Sequence, residues 1–348
     1  MRPGKITQTA WNRFIRKKIH KERSGTLFVP SPEENCSGIP AGPDGAVIWS
    51  DAAAVGDSPR TVWYAALQAA GNLAARGASP RGISLRILFP GDVPENMLSA
   101  AAEAAQDICG QTGTELTCFH GEANSAVQRT VALAVSAGTT FCGGITGGMS
   151  PGQEILLCGY AGLEGTLRIL DEAEEELAGR FVPGFLAQTR ELWHELVMPD
   201  QIADICKERT AGGEPMVSAV RQIGSGGILA ALWELADISG AGLEVSMEAM
   251  ALKQETVEIC EYYQINTYQM TSAGSYLVAT DHAEELMHVL EKAGVRAGRL
   301  GIAKAQNARV ITSGEEKRYL DRPAPDSLAC WWEGRPFKNN TDKQEGIL

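Results

Sequence analysis

VSAVRQIGSGGILAALWELADISGAGLEV, Val217 to Val245, sets a glycine cluster between an apolar run and a helical pattern. Gly224, Gly226 and Gly227 permit positive φ and close backbone approach, and the spacing predicts a helix from about Ile228. Its inner stripe is Ile228, Leu229, Leu232, Trp233, Leu235 and Ala236, three and four apart, with Glu234 and Asp237 facing water. Ser239 and Gly240 end it. A glycine turn that opens a helix presents unpaired N–H groups and the positive end of the helix, which suits a phosphate. The same glycines also serve a tight turn that packs helix against strand. Both readings stay open on this stretch alone.

Upstream, GPDGAVIWSD (Gly42 to Asp51) reads as a short strand, Ala46 to Trp49, with Asp44 before it and Asp51 after it. Carboxylates at the two ends of a strand are oxygen ligands of the kind magnesium takes, and equally ordinary turn acids. Arg60 to Arg76 is an Ala-rich helix closed by Gly77, and Gly82 to Pro90 alternates as a strand. A helix starts at Pro94. Thr114 to Phe119 and Val127 to Ser136 are strands, joined through His120 to Ser125. GMSPG, Gly148 to Gly152, matches a nucleophilic-serine pattern, but Pro151 lacks the N–H that an oxyanion needs and a strand follows instead of a helix. The match is rejected.

Downstream, the acidic run Asp171 to Glu176 reads as a solvated helix face at a composition shift. Helices are expected near Phe185 to Val197, Gln201 to Glu208, Glu255 to Tyr263 and Ala283 to Ala293. Tyr276 to Thr280 and Ala297 to Ala303 are strands, the latter the last one. The expected division is a basic helix and connection over 1–35, a first domain over 36–178, a second over 179–311 and a polar tail over 312–348.

The 348 residues suit two domains of about 150 each, and 44% hydrophobic with 21% charged residues is a soluble globular composition. No apolar run reaches the roughly 18 residues of a membrane span, so a cytoplasmic protein is expected. The net charge is −12, and the first 25 residues carry +7 of it, leaving −19 on the rest. An acidic body disfavours nucleic acid. The basic segment from about Thr9 to Arg23 carries Trp11, Phe14, Ile15 and Ile19 at helical spacing, which admits a membrane- or targeting-helix reading and fits a docked surface helix better. The eight cysteines (36, 109, 118, 142, 158, 206, 260 and 330) form no CxxC pair and read as reduced, mostly buried thiols. The five histidines have no metal spacing.

The pieces in order resemble the AIR synthase (PurM)-like superfamily, and within it the HypE-like hydrogenase maturation factors. GPDGAVI at 42, SD at 50, GNLAARGASP at 71, LFPGDVPE at 88 and HGEANS at 120 carry the resemblance. PGQEILLCGYAGLEGT at 151, VRQIGSGGILAALWELADISG at 220 and TSAGSYLVAT at 271 continue it. It implies a mixed α/β fold of two domains, the first giving strands to a β-barrel at a homodimer interface. It implies ATP with Mg²⁺, and activation of a carbonyl or carboxyl oxygen by phosphoryl transfer. Asp44, Asp51, Asn72 and Glu122 would stand at metal positions, and Gly121, Glu122, Gly224, Ser225, Gly226 and Gly227 at the nucleotide.

This chain departs from that pattern where carboxylates are usual: Asn72, Gln153 and Gln222 are amides, and Asn124 follows Glu122 in HGEAN. Amides coordinate magnesium more weakly than carboxylates do. Such maturation factors also use a cysteine at the extreme C-terminus, whereas this chain ends EGIL with Cys330 eighteen residues earlier. No catalytic residue is assigned. Two readings result: a phosphoryl-transfer enzyme, or a catalytically degenerate dimeric relative that binds a small ligand or a protein partner.

Overall fold

The computed structural model describes residues 5–19, 25–91, 93–141 and 146–335. Residues 20–24 of the basic segment, Asp92, Cys142 and the EGIL terminus lie outside these. Two sheets organise the fold. The first has the order β1-β2-β5-β3-β4, from β1 (Cys36–Ala41), β2 (Gly45–Gly56), β3 (Ser79–Phe89), β4 (Glu115–Ala123) and β5 (Thr130–Phe141). The second has the order β12-β11-β8-β10-β6-β9-β7, from β6 (Glu154–Cys158), β7 (Ala219–Gln222), β8 (Gly242–Ser246), β9 (Tyr276–Thr280), β10 (Ala297–Lys304), β11 (Arg309–Ser313) and β12 (Glu316–Tyr319). The change of sheet therefore falls between Phe141 and Glu154, ahead of the expected 178, because β6 pairs with β9 and β10.

Between the sheets runs α2 (Thr61–Ala75), in which every residue except Gln68 is buried. Its alanines explain this, because small side chains let sheet, α3 (Glu95–Thr112) and α6 (Pro199–Ile205) approach from several sides at once. α7 (Gly227–Ser239) covers one face of the second sheet, laying Ile228, Leu232 and Leu235 on Ile155, Leu157, Leu277 and Leu243. On the other face α9 (Ala283–Lys292) packs Leu286 and Leu290 on Leu156 and Val278. Strands covered on both faces read as continuous apolar runs, as EILLC and YLVAT do.

Three expectations change. β2 does not stop at Trp49 but continues through Asp51 to Gly56, held over its whole length by β5. The segment after Thr312 supplies β12 and α10 (Ser327–Glu333), whose Leu328 and Trp331 are buried against α4 (Leu163–Ala178) and α8 (Gln254–Tyr263). The acidic run is only partly a solvated face, because Glu172 accepts the N–H groups of Asp57 and Ser58 at 2.9 and 3.0 Å and so caps the approach to α2.

Among the described residues, the first sheet is covered on one side only. Val55, Leu133 and Val135 project from the other side, each 39% exposed, in cross-strand rows with Asp51, Arg86, His120 and Glu122.

Candidate functional site

The glycine turn between β7 and α7 needs its glycines for backbone reasons. Gly226 and Gly227 have φ of +90° and +68°, and a Cβ on Gly227 would stand 2.4 Å from the Tyr268 carbonyl oxygen. The anion seat at this turn is filled from within. The Gly226 N–H donates to Asp326 Oδ2 at 2.6 Å, while Asp326 Oδ1 accepts the Leu328 N–H at 2.8 Å and caps α10. Burial pushes the Asp326 carboxyl up to about 6, against the lowering effect of these two N–H donors. Sequence reasoning missed Asp326. Its signal was an Asp directly ahead of the short apolar run LACWW, an N-cap signature within a segment taken for a tail.

The amides at carboxylate positions divide into a pair and an outlier. Gln222 Nε2 donates to Asn72 Oδ1 and to the Gln68 carbonyl, both at 2.9 Å, and Asn35 Nδ2 reaches the same Asn72 oxygen at 3.4 Å. Gly71 makes room for this pair: a Cβ there would lie 1.8 Å from Gln222 Oε1. Gln153 belongs elsewhere, donating to Ser218 Oγ and Asp281 Oδ2 at 2.7 Å each. It ties the loop before β6 to the sheet beneath.

The four residues expected around a metal are not brought together within the chain. Asp44 lies in the β1–β2 turn, and Asp51 points from mid-β2 to the open face, away from the α2 side that holds Asn72. Gly121 and Glu122, expected in a loop, form part of the edge strand β4, separated from β2 by β5 and β3. Among the described residues no group of three His, Cys, Asp or Glu could hold a metal ion. The Asn72 oxygen already accepts two hydrogen bonds, so these residues do not fit magnesium within one chain.

Below the turn, Glu234 differs from its expected place in water. It is buried in an ion pair with Arg221, and Lys5 Nζ reaches its other oxygen at 2.9 Å. These two cations hold its carboxyl below the usual range in spite of burial. Arg221 also donates to the Glu33 carbonyl. The N-terminal segment, α1 (Gln8–Ala10) continued by a turn over Trp11–Ile15, lies on α7 through polar contacts. Gln8 donates to Asp237 at 2.9 Å and Arg322 to Thr9 at 3.1 Å. Trp11 and Ile15 are half-buried, but Phe14 and Ile19 are exposed, so the expected apolar docking face is only half used.

Between this segment, Pro32–Glu33, α7 and the 322–325 loop lies a cavity of about 640 Å³, which Ser225, Trp233 and Glu234 help to line. That volume is of the size that small-molecule ligands occupy. Among the described residues, the thiols offer no nucleophile beside it. Burial pushes Cys36, Cys158 and Cys206 up to about 12 and Cys260 to about 11, while the exposed Cys118 and Cys330 lie on β4 and α10.

Residues 150–313 match the family model described as AIR synthase related protein, C-terminal domain. Among solved structures, E. coli HypE, a hydrogenase maturation protein, aligns with TM-score 0.66 and 20% identity over 81% of this chain and 87% of that one. AaThiL complexed with AMPPCP and TMP aligns with TM-score 0.68 and 13% identity over 94% of this chain and 98% of that one. HypE in complex with ATP gives TM-score 0.64 and 15% identity over 93% and 94%. No curated protein matches the chain. The fold is that of the AIR synthase (PurM)-like proteins. Residues 150–313 are thus similar to an AIR synthase related C-terminal domain, in the part of the chain where the motifs from Pro151 onward led one to expect it. Among the described residues, no helix is long and apolar enough to cross a membrane.

Proposed function

We propose that this chain is a ligand-binding or regulatory relative of the AIR synthase-like proteins, taking a small molecule in the cavity beside the glycine turn. The Asn72–Gln222 amide pair carries this reading. Where the family pattern places charges that hold magnesium, two neutral side chains satisfy one another, and Asp326 adds a negative charge where a phosphate would sit. A magnesium–nucleotide complex needs the opposite arrangement. Purified protein should show no ATP turnover with acid or amide acceptors. Turnover that disappears in Asp44→Asn would overturn the reading.

A second reading is favoured by the nucleotide-bound neighbours. ATP and Mg²⁺ would be held by Asp44, Asp51 and Glu122 with Gly121 and the Gly224–Gly227 turn, for activation of a carbonyl or carboxyl oxygen. Asp51 and Glu122 both project from the open face of the first sheet, so such a site would have to close across two protomers. Homodimerisation through that face is part of both readings, since Val55, Leu133 and Val135 form an uncovered apolar strip there. A HypE–HypF complex exists among the structural neighbours, and a protein partner for this chain is proposed on the same footing, in the cytoplasm.

A further inference from the structure

Glu33 differs from the other carboxylates around the cavity. Glu234 has Arg221 and Lys5, Asp237 has Arg309 at 2.8 Å, Glu34 has Arg76, and Asp326 has two backbone N–H groups. Glu33 is only 8% exposed and, among the described residues, has no ion-pair partner. Burial raises its carboxyl above the usual range against the lowering effects of Ser31 and its own main-chain N–H, and the buried Arg221 gives its hydrogen bonds to the Glu33 main-chain oxygen and to Glu234 instead. A buried carboxylate without a cation is costly, and the cavity it lines is where a cation can arrive.

An anion is the wrong guest for the inner end of this cavity. A phosphate at the glycine turn would meet Asp326, with Glu33 and Glu234 close to its path. Ile6, Trp233, Pro323 and Pro325 supply apolar walls; of the two cations in the lining, Lys5 is paired with Glu234 and Arg322 donates to the Thr9 hydroxyl. We propose that the cavity binds a small organic cation, a primary amine with an apolar or aromatic body, through an ion pair between its ammonium group and the Glu33 carboxylate. This rests on the ligand-binding reading and names its ligand class.

The test is calorimetric titration of the full chain with phenethylamine, phenethyl alcohol and 3-phenylpropanoate, repeated with Glu33→Gln. The amine should bind, the alcohol and the acid about tenfold or more weaker, and Glu33→Gln should lose the amine by a similar factor while its Tm stays level or rises. A lost Tm in that variant leaves the comparison of the three probes on the unaltered chain to decide. Alcohol or acid binding as tightly as the amine overturns the role of Glu33 and leaves a ligand cavity standing. Failure of all three at millimolar concentration overturns the amine assignment, and the ligand-binding reading is then judged by ATP titration alone.

Discussion

Removing the Glu234 carboxylate would strand Arg221, whose guanidinium is buried against it, so Glu234→Ala should cost about 3–5 kcal/mol in urea unfolding. A loss below about 1 kcal/mol would mean that Lys5 and water rescue the arginine. Asp326 makes a prediction of the opposite kind. Its folded carboxyl is raised to about 6, against about 4 in an unfolded chain, so the native state holds this proton more tightly. The stability it contributes is therefore full below about pH 4 and falls as pH rises to about 6. Glu164 and Arg168 are the other charges that act on it. Asp326→Asn should flatten that fall when unfolding is followed from pH 4 to pH 7, and an unchanged slope would contradict the assignment. The burial of Glu234 was not legible in the sequence, and Asp326 showed only its N-cap signal, not its reach to Gly226. Glu234 sits at a helical position that the apolar pattern leaves to solvent, and only its partner on β7 shows why it is buried. The Gly226 donor and its Asp326 acceptor are 100 residues apart.

At the scale of elements, α7 and its turn were legible to within one residue at the start, because three-and-four spacing and left-handed glycines are local signals. Gly227→Ala should destabilise by roughly 1–3 kcal/mol or more, since it combines a positive φ with a main-chain collision against Tyr268. A neutral result in thermal unfolding would show that the 3-10 turn over Thr267–Gln269 yields easily. β9 was legible to the residue as an apolar run between turns. α10 was not, because its seven residues are too short to display a period and its helix exists by burying Leu328 and Trp331 against α4 and α8. Trp331→Ala should cost about 3–5 kcal/mol, measured by the same unfolding assay. A polar tail would give no change.

At the scale of the molecule, two sheets joined through a fully packed α2 account for the order of the sequence motifs, while the candidate site depends on contacts between distant segments. The expected metal group failed to gather because a strand's alternation sends Asp51 to the face opposite Asn72, a consequence that appears once β2 extends past Trp49. If the open face of the first sheet is a subunit interface, light scattering should give twice the chain mass of 37.2 kDa, and Leu133→Asp should return it to one. A single-chain mass for the unaltered protein would remove the dimer. On the proposed reading, an internal amide pair and an internal carboxylate stand in place of a magnesium–phosphate site. That reading is tested most directly by calorimetric titration with ATP, with and without magnesium. The prediction is no magnesium-dependent binding at millimolar ATP. Magnesium-dependent binding that weakens in Asp44→Asn would contradict it.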